Sequence, residues 1–147
     1  MTVVVRAALP RRVPLAPLPT TTFVYGRTPR PPEGWADDVD RADWFAFGCD
    51  LFDAGCFFEA HELWERCWLA ARAVGNDDDA RFVQGLIKLA AAGVKLLDDK
   101  PESLASHLRA GSALLAQAEP RRGISRAVLD AAISELTAGR PPRLSAS

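Results

Sequence analysis

At 147 residues, 48% hydrophobic, 25% charged and with a net charge of −1, the chain has the composition of one soluble domain with a real core. No apolar run approaches the roughly 20 residues of a bilayer-spanning helix. Cys49, Cys56 and Cys67 are odd in number and lack CxxC spacing, which argues against a disulfide framework and a structural zinc site and favours a reduced, cytoplasmic protein.

Residues 1–34 hold seven of the eleven prolines and, up to position 32, five arginines without an acidic residue. Proline fixes φ and removes a donor, so this stretch is expected to be a disordered tail, with Phe23, Val24 and Tyr25 able to dock it locally. Its opening, MTVVVRAALPRRVPL, is interrupted by prolines where a secretory signal needs a continuous apolar core; an Arg-rich transit peptide is the alternative. Five dispersed arginines read as solvated, so a nucleic-acid partner is not expected.

The folded domain is placed at 35–139, with a short tail at 140–147. A first helix is predicted from Asp38 to Ala54, with Phe45, Cys49 and Phe52 at core spacing and Gly55 at its end. The second follows at once, from Phe57 to Ala73. The third spans Asp78 to Leu97, with Phe82, Leu86, Leu89, Ala90, Gly93 and Leu97 on a broad apolar face. Pro101 opens a fourth helix reaching Ala118, and Ser125 caps a fifth that ends before Gly139. No segment has strand periodicity, so the fold class is all-α: a single compact bundle of about five helices behind a Pro-rich tail.

The second helix carries most of the polar chemistry. At about 100° per residue, Phe58, His61, Glu62, Glu65, Trp68 and Leu69 fall on one side, and Ala60, Leu63, Cys67 and Ala70 on the other. His61 and Glu65 are an i, i+4 pair; Glu62 and Glu65, three apart, repel if both are charged. Carboxylates beside large apolar groups hold a cation, share a proton or meet basic partners.

The motifs FFEAHELWERCW and FVQGLIKLAAAGVKL (82–96) together resemble the domain-of-unknown-function family numbered 309, over roughly positions 40–115. The resemblance implies a compact helical bundle and singles out Glu59, His61, Glu62, Glu65, Gln84 and Gly85. It supplies no activity. After Leu97 the chain departs from the family, with DDKPESLASHLRAG where many members have an Asn-x-x-Gly-Ala turn.

Three readings of the polar residues stay open. In the first, Glu59, His61, Glu62, Glu65, Gln84, Lys88 and His107 form a buried network of paired groups. In the second, His61, Glu62, Glu65 and His107 hold a divalent metal; the spacing resembles the metalloprotease His-Glu-x-x-His motif without its second histidine, and the donors suit zinc, iron or manganese. In the third, Trp64 and Trp68 wall a small-molecule pocket anchored by the glutamates. Near the start of its helix, Glu59 is accounted for by the helix dipole alone. The leading reading is a non-catalytic structural or interaction module with no cofactor; the alternative is a small metal-dependent or carboxylate-based hydrolase-like enzyme. Trp35, Trp44, Ala91 and Ala92 also offer a surface for a second copy, a homo-oligomer. Whether the protein is an enzyme stays undecided.

Overall fold

The computed structural model describes residues 5–6 and 10–145, so the parts of the two predicted tails at 1–4, 7–9 and 146–147 lie outside the described residues. Five helices and no strand are found among the described residues: α1 (Trp44–Asp53), α2 (Phe57–Ala73), α3 (Asp77–Leu97), α4 (Pro101–Ala116) and α5 (Arg126–Thr137). The first helix starts later than its acidic run suggests. Asp40 is extended (φ −58°, ψ 142°), and a 3-10 turn at Arg41–Asp43 intervenes before α1.

Local chemistry sets the other boundaries. Gly55 takes φ 83° after α1, a conformation that costs a residue without a Cβ little. The Cys56 N–H then donates to Leu51 O at 2.8 Å and the Gly55 N–H to Phe52 O at 3.0 Å, closing the helix with a Schellman motif. Asn76 caps α3 by accepting from the Asp79 N–H at 3.3 Å, with Asp77, Asp78 and Asp79 in the first turn on the positive end of the dipole. Ser125 caps α5 by accepting from the Val128 N–H at 3.2 Å.

α3 is the central helix. It packs on α2 and on α4 and also touches α5, while α1 packs on α2. Close approach depends on missing side chains. A Cβ on Gly93 would lie 2.6 Å from Cδ1 of Phe57, and one on Gly85 would lie 2.6 Å from Cγ of Leu115. Between α1 and α2 sits Trp64, fully buried, its ring 5.5 Å from Phe52 and 6.0 Å from Phe45. Its indole Nε1–H donates to Phe45 O at 3.2 Å, so the one polar atom of the ring is satisfied inside the core. Burying Phe52 and Phe57, whose rings meet edge-on at 5.2 Å, contributes about 1.5–3 kcal/mol each.

The proline-rich segment before Trp35 contains no helix or strand among its described residues. It runs over α1 and α2, with its own Thr22 and Val24 fully buried. No helix among the described residues is long and apolar enough to cross a membrane.

Candidate functional site

α2 turns Phe57, Ala60, Leu63, Trp64, Cys67 and Ala71 into the core. That rotation leaves His61, Glu62 and Glu65 at its rim rather than inside it, with side chains 26%, 43% and 48% exposed. The expectation of a buried His/Glu cluster is corrected accordingly: the apolar stripe begins at Phe57, and these three residues flank it. His61 stands between the two carboxylates. Its Nδ1 is 3.8 Å from Glu62 Oε1 and its Nε2 is 3.7 Å from Glu65 Oε1, ion-pair distances beyond hydrogen-bond range. One donor atom from each of the three lies within 4.8 Å of the others.

The remaining residues of the expected network, Glu59 aside, lie on other helices. Gln84 and Lys88 are half-buried on α3, and His107 is half-buried on α4. Burial pushes the His107 imidazole below its ordinary pKa, and the charges of Lys88, Lys95 and His61 push the same way. A depressed histidine is a neutral one, the form that binds metals. His107 is nevertheless outside the three-residue donor group. Among the described residues, neither Glu62 nor Glu65 accepts a hydrogen bond from another helix; their contacts are with His61 on their own.

Glu59 is the buried carboxylate, 1% exposed. The Thr22 hydroxyl donates to its Oε1 at 2.5 Å and the Phe23 N–H to its Oε2 at 3.0 Å. Burial raises its pKa above the ordinary glutamate value, against the opposing pull of those two hydrogen bonds. A helix-dipole role near the start of α2 accounts for none of this. The partners come from 36 and 37 residues upstream, in the irregular segment.

Glu59 also lines a cavity of about 680 Å³ between the N-terminal segment, the 3-10 turn and α1. Leu18, Trp35, Val39 and Phe47 supply apolar wall, and Asp38, Asp40 and Asp43 supply carboxylates. Trp35 is thus part of a recess, whereas Trp64 and Trp68, the expected pocket walls, do not line it.

Sequence reasoning missed a pair of buried aspartates. Asp50 and Asp53 are fully buried in α1. Asp50 accepts from the Arg11 Nε–H at 3.0 Å and from the backbone N–H groups of Arg12 and Val13 at 2.8 and 2.9 Å. Asp53 accepts from Arg12 at 3.1 Å and from the Leu144 N–H at 2.6 Å. One signal was present. Two aspartates on the last turns of an apolar helix sit at the negative end of its dipole, and only dedicated cationic or N–H partners make that arrangement tolerable.

The two helix motifs, with their Glu59–Glu65 and Gln84–Gly85 residues, fall within one matched family region. Residues 45–106 match the family model of a domain of unknown function, DUF309. The DUF309 region takes in α1 from Phe45, all of α2 and α3, and the first turns of α4. It therefore includes Glu59, His61, Glu62 and Glu65 but neither the proline-rich segment nor His107. No curated protein and no solved structure matches the chain.

Proposed function

We propose that the protein is a non-catalytic binding module whose ligand site is the cavity between the proline-rich segment and α1–α2. The observation that carries this reading is the cavity itself: about 680 Å³, mostly apolar in its walls, with the buried Glu59 among its lining residues. Small-molecule sites are typically recesses of roughly 300–1,000 Å³ with apolar walls and few, placed polar groups. Both oxygens of Glu59 are engaged by Thr22 and Phe23, so the carboxylate is fixed as an anchor and poorly placed to exchange a proton with a substrate. Neither a histidine nor a cysteine is among the lining residues.

The test is an amide chemical-shift titration with small aromatic fragments. Shifts at Thr21, Trp35 and Phe47, lost when Ala16→Phe fills the recess, are expected. Fragment shifts confined to other parts of the bundle would remove the cavity as the ligand site.

A second reading is favoured by the donor geometry on α2. His61, Glu62 and Glu65 would hold a divalent cation at the rim, with His107 as a further ligand after a side-chain movement, and a metal-dependent hydrolase-like activity would be built there. On this reading Zn²⁺ raises the melting temperature, a chelator reverses the gain, and Glu65→Gln abolishes it. A melting temperature indifferent to Zn²⁺ and Mn²⁺ rules it out.

A further inference from the structure

We infer that the cavity selects a small organic cation, an ammonium ion carrying an apolar body. This rests on the cavity being the ligand site. The charge of the lining is strongly one-sided: among the described residues, Asp38, Asp40, Asp43 and Glu59 line the recess, and Arg30 is the only cationic residue that does. Arg30 is already committed, its guanidinium 4.7 Å from the centre of the Phe23 ring and 5.9 Å from that of Phe58.

Several acidic groups elsewhere in the fold are matched by a cation. Asp50, Asp53, Asp79 and Glu135 each meet an arginine. Among the described residues, the carboxylates of Asp38, Asp40 and Asp43 form no ion pair, and none of the three caps a helix through its side chain. Asp38 and Asp40 are exposed at the mouth, while Glu59 is buried below.

Unmatched negative charge beside an apolar recess focuses a negative potential into it. An anionic ligand is repelled, and a neutral one gains only from apolar contact. A bare divalent ion would lose its water against walls that offer few oxygens. A cation with an apolar body gains from both halves of the surface, and the aromatic side chains of Trp35 and Phe47 in the lining are the groups that would add cation–π attraction.

The test compares three probes built on one benzyl group by amide shifts of the cavity residues in the full chain: benzyltrimethylammonium, its neutral isostere neopentylbenzene, and the anion phenylacetate. The ammonium ion is expected to bind about ten-fold or more tightly than either, a difference that shrinks with added salt. In the Asp38→Asn/Asp40→Asn/Asp43→Asn variant the three affinities should draw closer together while the rest of the spectrum is unchanged. Neopentylbenzene binding as tightly as the ammonium ion would overturn the charge selection and leave the cavity as the ligand site. A cation preference undiminished in the triple variant overturns it as well. If none of the probes moves a cavity resonance, the ligand site and its selectivity fall together.

Discussion

Replacing Glu59 by glutamine should stabilise the protein at neutral pH, although the carboxylate it removes makes two hydrogen bonds. The sign follows from the raised pKa. In the folded state Glu59 holds its proton to higher pH than in the unfolded chain, because burial disfavours the charge. The stability tied to this group is therefore fully present below the ordinary glutamate pKa of 4.5 and lost as pH rises through the folded value. Glutamine imitates the protonated form at every pH. Its carbonyl can accept from the Phe23 N–H, and its amide can donate to the Thr22 hydroxyl, which switches from donor to acceptor. Glu59→Ala is a different perturbation. It leaves the Phe23 N–H and the Thr22 hydroxyl without partners, at a cost of about 1–3 kcal/mol for each group left buried and unsatisfied. Urea unfolding of wild type, Glu59→Gln and Glu59→Ala at pH 4 and pH 7 separates these effects. The glutamine variant should gain on wild type between the two pH values, and the alanine variant should lie below it at pH 4. A glutamine variant as unstable as alanine at pH 7, or one whose difference from wild type ignores pH, would refute the reasoning.

Gly93→Leu places a side chain where the Phe57 ring already lies, its Cβ 2.6 Å from Cδ1, and should cost about 1–3 kcal/mol in a thermal melt. The Arg122 guanidinium donates to both oxygens of Asp79, at 2.8 and 2.6 Å, and holds its carboxyl below the usual aspartate pKa. That stability is present above the ordinary value of 3.8 and lost as pH falls through the lower, folded value, so Arg122→Gln should cost about 1 kcal/mol at pH 7 and progressively less in acid, as read by denaturant titration. Burial pushes the Cys49 and Cys56 thiols up to about 12 and raises Cys67 as well. A disulfide reagent at pH 8 should leave all three untouched in the native protein and modify all three in urea.

The helices could be read from the chain because their causes are local. Gly55, Asn76, Pro101 and Ser125 each mark a boundary through their own backbone or cap, and α2 runs from Phe57 to Ala73 as its pattern predicts. The family resemblance around FFEAHELWERCW identified the same region as the family match. The burial of individual carboxylates could not be read that way. Glu59 and the trio His61, Glu62 and Glu65 lie on one short stretch of helix, and a rotation of the helix by one position decides which is enclosed. That rotation is set by Trp64 fitting against Gly48 and Phe57 against Gly93, contacts between helices that no periodicity encodes. The partners of Glu59, Asp50 and Asp53 lie in segments without periodicity, where Thr22 and Arg12 look like any other loop residues until the fold brings them home.

The last turn of α1 is a mooring for two distant pieces of chain. Arg6 donates to Asp53 O at 2.6 Å and also to Pro142 O, and Arg12 bonds both the Asp53 carboxylate and Leu144 O. The strand of chain that enters the bundle and the one that leaves it are thus berthed side by side. Tension applied through those two strands would be carried by this small set of bonds and would peel them away one after another before any helix felt the load. The same closeness means that a short peptide could join the two strands and new ends could be opened at the exposed turn around Gly75, giving a permuted chain with the same bundle.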